Sequence, residues 1–199
     1  MSFEISSFTN ALNHQGARAS LFEVTMTGQV TTTAAAASTG TSAVKQINAP
    51  SDIKFACRAT TIPGMTITPI PVLYFGREVK TPGELEFADW TVTVINDNNM
   101  RTRRFIEAWM NHINSHSTNM MSDQMFAGST SGEYSWTGDA QIQQYSKNGN
   151  LTSKYNMTQC WPTALDPIDM NYDNVGTIQE YGITFSYNYW TSDHSKGPV

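Results

Sequence analysis

Two histidines have the spacing that brings side chains together on one face of a helix. His112 and His116 are four residues apart, and two imidazoles at that spacing can share a metal ion such as zinc. A metal site needs further ligands, and no acidic residue lies within that turn. We therefore predict an exposed histidine pair at a helix end, where the negative end of the helix dipole favours protonated imidazoles.

Carboxylate pairs are a second possible source of chemistry. They can be drawn from Glu84, Glu86 and Asp89, or from Asp166 and Asp169. Acid–base catalysis requires burial to separate the pKa values of two such groups. These acids lie beside polar segments, which predicts a solvated acidic edge instead.

The two cysteines are Cys57 and Cys160, and neither belongs to a CxxC pair. Cys57 is predicted to be a small buried hydrophobe, because a reactive thiol needs a nearby histidine or helix start. The sequence has no glycine-rich phosphate loop, no GxSxG elbow and no HExxH motif. We predict no catalytic residue, no cofactor and no metal, and so no enzyme.

Aromatic and basic residues are the remaining candidates for a binding site. Five tryptophans and eight tyrosines suggest sugar stacking, but periodicity explains the tryptophans as core, apart from the loosely placed Trp136. Arg101, Arg103 and Arg104 form a basic cluster. Three arginines do not make a nucleic-acid footprint, and we expect them to pair with an acidic patch on a neighbouring molecule.

The composition favours strands. The chain has 199 residues, 12 Lys and Arg against 17 Asp and Glu, and a formal charge of −5, which argues against gripping phosphate. Charged residues are 15% of the chain, below the roughly 25% of an average domain. Thr, Ser and Asn supply 25, 18 and 15 residues, and such side chains favour strands, caps and turns.

No segment has the character of a membrane-spanning helix. The uncharged window 24–44 is only half apolar, and the window 59–76 contains three prolines. The first ten residues lack the basic and apolar regions of a secretory signal. We expect a soluble protein that is assembled inside the cell.

Alternating patterns predict six to eight antiparallel strands. They are expected at 20–27, 53–60, 72–79, 84–95, 139–146, 151–161 and 177–190. The pattern of 84–95 changes phase at Ala88-Asp89, which predicts a bulge where the strand passes to another sheet or another subunit. Asn148-Gly149 predicts a hairpin turn between two of the strands.

One helix and two long polar segments separate these strands. Asn and Asp residues after Ile95 predict a helix start, and the helix should run over about 98–113. Residues 28–50 lack large apolar residues in their middle. They are either a long flexible loop or a hairpin extension that orders only against a neighbouring subunit. Residues 114–133 are a second polar loop.

These elements predict a mainly β fold, an antiparallel β-sandwich or small barrel with one α-helix packed against it and long polar loops. The whole chain, 1–199, is one domain, with an N-terminal arm at 1–19 and a C-terminal tail at 192–199. The last strand should bury one face, formed by Tyr181, Ile183, Phe185, Tyr187 and Tyr189. Its other face is small and polar.

Several short motifs, taken in order, resemble one known family. They are FACRATTIP at 55–63, FADWTVTVIND at 87–97, WPT at 161–163 and the closing Tyr189-Trp190. Their order and spacing resemble the tail tube proteins of contractile-tailed (myovirus) bacteriophages. Residues 28–50 and 114–133 are longer than that pattern needs.

The resemblance implies a structural virion protein that is assembled in the bacterial host cytoplasm. Its copies would form hexameric rings that stack into the inner tube of the tail, with sheath and baseplate proteins as partners and no membrane span. Phage DNA would pass through the lumen during ejection without sequence-specific binding. The resemblance implies no cofactor.

The same picture assigns candidate surfaces. A conduit should not bind phosphate, so small polar or acidic groups should line it. The predicted lining is Glu180, Gly182, Thr184, Ser186 and Asn188, with Glu84 and Glu86 as the second choice. Contacts between subunits or rings are expected at Val72, Tyr74, Arg77 and Glu78, and at Arg101, Arg103 and Arg104.

Three alternatives stay open at this point. A tube or baseplate-adaptor protein of another contractile injection system would differ in the length of its assembly. A β-sandwich carbohydrate-binding module would be a monomer whose tryptophan fluorescence changes with sugar. An enzyme with unrecognised carboxylates would hold two acids of different pKa in a deep pocket.

Overall fold

The computed structural model describes residues 4–12, 16–27, 29–34, 43–48, 53–118, 136–173 and 175–193. Its helices are α1 (Ile5–Ala11), α2 (Ile53–Ala56) and α3 (Arg101–Ile113). Its strands are β1 (Phe22–Thr27), β2 (Gln29–Ala34), β3 (Ala43–Asn48), β4 (Cys57–Thr60), β5 (Met65–Tyr74), β6 (Arg77–Phe87), β7 (Trp90–Ile95), β8 (Gly138–Tyr145), β9 (Leu151–Leu165), β10 (Glu180–Ser186) and β11 (Tyr189–Ser192). Within these ranges, no helix combines the length and the apolar character needed to cross a membrane.

The main sheet is antiparallel and runs in the order β1-β8-β9-β10-β7-β4, with β11 beside β9. The long strand β9 pairs with β8 and β11 in its first part and with β10 in its last part. The change of partner follows Gln159, whose φ is 56°. The order has two ends, so the described strands do not close into a barrel, and the prediction of a mainly β fold with one substantial helix is confirmed.

Alternation on two adjacent strands builds the core. Trp90, Val92 and Val94 of β7 and Ile183 and Phe185 of β10 are buried. The Trp90 and Phe185 ring centroids are 5.2 Å apart. Helix α3 adds the buried residues Phe105, Ile106 and Trp109, so sheet and helix share one hydrophobic core.

Helix α3 begins at Arg101, three residues later than the predicted start. Met100 has a φ of 50°, a left-handed conformation that cannot belong to the helix. The carboxylate of Asp97 still caps the helix, because its Oδ1 accepts a hydrogen bond from the Arg101 backbone N–H at 2.8 Å.

Two predicted strands are wrong in detail. Residues 53–60 are the short helix α2 followed by β4, so Ile53 and Cys57 do not share a strand face. Residues 84–95 are two strands, because the predicted bulge at Ala88-Asp89 is a break between β6 and β7. The phase change does mark the point where the chain passes from one sheet to another.

The predicted strand 72–79 is also wrong, because it spans a hairpin turn. Strands β5 and β6 pair from Met65↔Phe87 to Tyr74↔Arg77. The turn is Phe75-Gly76, with φ values of 46° and 75°, as a two-residue hairpin loop of type I′ requires. The sequence signal was hidden because Asn or Asp is the usual residue where Phe75 stands.

Other segments agree in part with the predictions. The β8–β9 hairpin is confirmed, but β9 continues past Pro162 to Leu165. The last predicted strand divides into β10 and β11, and Tyr189 is exposed rather than buried. In residues 28–50, β2 and β3 pair as antiparallel strands from Gln29↔Asn48 to Ala34↔Ala43. Most of the predicted 114–133 loop lies outside the described residues.

Candidate assembly surfaces

The first surface is the outer face of the sheet, on the side of β10 away from the core. In the register of β10 with β7, Thr184 lies opposite Thr91 and Gly182 lies opposite Thr93. Directly opposed residues of an antiparallel pair share one face, so these four residues form a small polar patch, the threonine face. Thr91 and Thr93 were missed from the sequence, although the alternation around Trp90 and Val92 implies their outward position.

The acidic member predicted for this face is neutralised within the chain. Glu180 forms an ion pair with Arg58. A second carboxylate, that of Asp166, lies against Gly182 of β10. A Cβ at position 182 would overlap its Oδ2. Glycine is therefore the residue that lets Asp166 lie against β10.

The other predicted lining residues diverge. Ser186 stays on β10 and is half-buried, whereas Asn188 follows the end of that strand and donates a hydrogen bond to Oε1 of Gln159. Glu84 and Glu86 lie on β6, in the separate two-stranded sheet. The predicted lining on β10 and the second predicted lining, Glu84 and Glu86, therefore lie on different sheets and do not form one surface.

The second surface is the β5–β6 hairpin. Val72, Tyr74, Arg77 and Glu78, predicted as contact residues, come together at its tip, where Tyr74 lies opposite Arg77. The hairpin exposes large apolar side chains along both strands: Met65, Ile67, Ile70, Val72, Leu73, Tyr74, Phe75, Val79 and Leu85. A contiguous exposed apolar surface of this kind is typical of an interaction site.

The turn itself presents an aromatic residue to solvent. Phe75 is 91% exposed and stacks edge-on against Tyr74, with ring centroids 4.5 Å apart. A left-handed backbone is unfavourable for a bulky residue. The hairpin therefore carries an exposed ring at a position where a small polar residue would fold more easily.

The three arginines of α3 have different surroundings. Arg101 forms an ion pair with Asp97. Arg103 is bound within the chain: its Nε donates to Oε1 of Glu107 at 2.9 Å, and its guanidinium lies 5.2 Å from the centre of the Tyr181 ring. Arg104 is exposed and, within the described ranges, has no ion-pair partner.

The two cysteine thiols and the possible metal ligands show no sign of a reactive site in the described part of the chain. Burial raises the pKa of the Cys57 thiol to about 12 and raises the pKa of Cys160 as well, which keeps both thiols protonated. No group of three His, Cys, Asp or Glu residues in the described part of the chain is placed to hold a metal ion.

Two further predictions about side chains need correction. His112 is half-buried rather than exposed, and desolvation lowers its pKa. Trp136 is not loosely placed, because its ring packs edge-on against Trp161 at 5.7 Å and its carbonyl accepts a hydrogen bond from Trp109.

Comparisons with known proteins cover most of the chain. A family model described as "Phage tail tube protein" matches residues 17–193. Tail tube protein gp19 of Enterobacteria phage T4 is 28% identical over 137 residues, which are 68% of this chain and 79% of that protein.

Solved structures share the fold at low sequence identity. One is a chain of the sheath/tube terminator of PVC, an extracellular contractile injection system, in its extended state. Its TM-score is 0.57 at 13% identity, and the match covers 89% of this chain and 96% of that one. Another is a chain of the six-fold symmetrised baseplate of the anti-feeding prophage, with a TM-score of 0.57 at 7% identity and coverage of 89% and 95%.

Proposed function

This chain belongs to the phage tail tube protein family, and from that premise we propose that it polymerises as stacked hexameric rings into the inner tube of a contractile tail. In this proposal the tube is the conduit through which phage DNA is ejected into the host. As a tail tube protein, the chain is a structural component of a virion and not an enzyme. The observation that carries the proposal is the family match over residues 17–193.

The open strand order supports ring formation. Strands β1 and β4 are the two ends of the main sheet, and an end strand presents unpaired backbone groups to a neighbour. A heterologous contact repeated around an axis closes into a ring. Six-fold symmetry is proposed because a chain of the same fold occurs in a baseplate that was symmetrised six-fold.

The threonine face supports the role of a conduit. Its small hydroxyl groups and the nearby Asp166 carboxylate offer no cation to a phosphate, and the Arg58 guanidinium at the end of this face is paired with Glu180. A lining of Lys or Arg would hold DNA by counterion release, with an affinity that grows with each contact. We place this face on the lumen, while Glu84 and Glu86 are assigned to the hairpin and its contacts.

Stacking and partner contacts are assigned to the remaining surfaces. The β5–β6 hairpin, with Val72, Tyr74, Arg77 and Glu78, is proposed to join one ring to the next. Sheath and baseplate proteins are proposed as outer partners, since sheath and baseplate are named for the assemblies in which this fold occurs. Exposed Arg104 is available for such a contact.

Electron microscopy of the purified, concentrated protein tests the proposal. We expect hollow tubes longer than one ring. Single rings that never stack would instead indicate a baseplate adaptor or terminator of a contractile system. A protein that stays monomeric at every concentration would contradict the proposal.

The lumen assignment has its own test. Thr91→Lys with Thr184→Lys places two cations on the threonine face of each copy, and Thr152→Lys on the exposed β8–β9 hairpin is the matched control. We expect both proteins to form tubes, but only the double variant to slow DNA ejection from assembled particles, and more so at low salt. Equal rates of DNA ejection in the two variants would contradict the assignment of this face to the lumen.

A further inference from the structure

A groove lies in the loop between β9 and β10. It is open to solvent and has a volume of about 530 Å³, with apolar and polar residues in its lining: Pro167, Ile168, Met170, Tyr172 and Ile178, and Asp169, Asn171, Thr177, Gln179 and Glu180. Met170 is 75% exposed and Ile178 is 66% exposed. A dry apolar cavity of about 150 Å³ takes up one benzene ring, so this groove has room for an aromatic side chain and its neighbours.

The two ends of the groove loop are bonded to the body of the protein. At its start, the Asp166 backbone N–H donates to the Gly182 carbonyl at 3.0 Å, and Nη1 of Arg103 donates to the Asp166 carbonyl at 3.1 Å. At its end, Nδ2 of Asn96 donates to Oε1 of Gln179 at 2.9 Å. A preformed groove loses little entropy when it is filled.

The groove and the hairpin lie at opposite ends of the same strand pair. Strand β10 pairs with β7 from Glu180↔Ile95 to Phe185↔Trp90. The groove adjoins Glu180, whereas the hairpin joins the body beside Trp90, where the Ala88 carbonyl accepts a hydrogen bond from the Tyr187 hydroxyl at 2.6 Å. Five residue steps of about 3.4 Å separate the two ends, which is the arrangement of a head-to-tail contact.

The charges of the two elements are complementary. Next to its apolar tip, the hairpin carries Arg77, Glu78 and Lys80, a net charge of +1, and the groove loop carries Asp169 and Asp173. Arg77, Lys80, Asp169 and Asp173 have no ion-pair partner within the described ranges. Opposite charges around an apolar contact fix its register and speed its formation.

We propose that the hairpin tip of one copy, residues Leu73, Tyr74 and Phe75, inserts into the groove formed by residues 167–172 and 177–180 of the next copy. The Phe75 ring is the anchor, and Arg77 approaches Asp169. The inference rests on the proposed function, since it names the acceptor for the hairpin contact between successive layers of the assembly.

Two variants, each lacking one half of the contact, provide the test. Phe75→Asn removes the anchor but keeps the groove, and Ile178→Asp spoils the groove but keeps the tip. Leu151→Asp, an exposed apolar residue on the β8–β9 hairpin, is the matched control. Assembly is followed by sedimentation velocity and electron microscopy, with different tags on the two variants.

We expect each variant alone to need a concentration at least roughly tenfold higher than the wild type for tube growth. An equal mixture should give mixed complexes that stop after one contact between layers. The intact tip of Ile178→Asp fits the intact groove of Phe75→Asn, but the tip and the groove that remain are both altered. The control should form tubes like the wild type.

Several outcomes would overturn the inference. Ile178→Asp tubes that grow at the wild-type concentration would show that the groove has another occupant or none, while wild-type tubes would still support the proposed function. A mixture without mixed complexes would have the same meaning. If wild-type protein itself forms no tubes, the proposed function fails first.

A charge exchange keeps the test valid if Ile178→Asp fails to fold. Arg77→Asp and Asp169→Arg should each weaken tube growth, and their combination should restore it. A double variant that is no better than the two single variants would also overturn the inference.

Discussion

The β7–β10 strand pair and the β5–β6 hairpin are both antiparallel pairs rich in apolar residues, but they use these residues differently. In the strand pair, every second residue is buried, as with Trp90 and Phe185. The residues between them point to the other side of the sheet and include the threonine face. In the hairpin, both faces are exposed along almost the whole length. The strand pair uses apolar residues to fold, and the hairpin leaves them available for another molecule.

The cause of the difference is the cover that each pair receives. Helix α3 covers the inner face of the sheet, where the ring centroids of Trp109 and Phe185 are 6.3 Å apart. The hairpin is joined to the body at its base, where the Ala88 N–H donates to the Gly64 carbonyl at 3.3 Å. Since monomeric proteins rarely expose large apolar patches, we propose that the assembly surface lies outside the folding core.

Truncating one large residue in each strand pair should give the largest difference in stability. Trp90 is fully buried, and its Nε1 donates to Oγ1 of Thr60 at 2.8 Å. We expect Trp90→Ala to lower the free energy of unfolding by about 3–5 kcal/mol. Leu73→Ala, at a side chain that is 79% exposed, should change it by less than about 0.5 kcal/mol.

Denaturant unfolding of both variants under conditions that keep the protein monomeric makes this measurement. If Leu73→Ala also lost several kcal/mol, the hairpin would belong to the folding core and the distinction would be wrong. An additional assembly assay should give the reverse order, with folded Leu73→Ala impaired in tube growth.

The second prediction has the opposite sign and a smaller size. Phe75→Asn places the preferred Asn-Gly pair in the type I′ turn and relieves the left-handed phenylalanine. We expect the monomer to gain about 1 kcal/mol of stability, while tube growth should need a concentration at least roughly tenfold higher than for the wild type. Thermal unfolding and electron microscopy on the same sample check both effects, and a variant that is less stable and still assembles would contradict them.

Sequence reasoning succeeded where one periodic signal determined the structure. The alternation of Trp90, Val92 and Val94 predicted the strand β7, and Asn148-Gly149 predicted the β8–β9 hairpin. The family was also predicted correctly from ordered motifs, and the match over residues 17–193 confirms it.

Sequence reasoning failed where the local signal was atypical or the surface was assembled from distant segments. Phe75-Gly76 is an unusual turn pair, so the pattern predicts one strand where the structure has parts of β5 and β6. The threonine face depends on the register of β7 with β10, which sequence alone did not supply. The groove depends on side-chain contacts with Asn96 and Arg103, which come from other parts of the chain.

The smallest predicted effect concerns a residue that is neither core nor hairpin. His112 lies near the end of α3, and its Nε2 is buried and has no hydrogen-bond partner in the described part of the chain. Desolvation lowers its pKa in the folded state. The folded protein therefore binds a proton less readily than the unfolded chain, whose histidine has an ordinary pKa near 6.5.

This difference makes stability depend on pH in one direction. The contribution of neutral His112 is fully present above about pH 6.5 and is lost as the pH falls, because protonation then favours the unfolded chain. We expect the midpoint temperature of thermal unfolding to decrease when the pH is lowered from about 7.5 to about 5.5. The decrease should be smaller in His112→Gln. An NMR titration of the imidazole should give a midpoint below the ordinary value. A midpoint above the ordinary histidine pKa would mean that the helix dipole has a larger effect on His112 than burial has. The end of α3 would then have the electrostatics of an exposed surface rather than those of the protein interior.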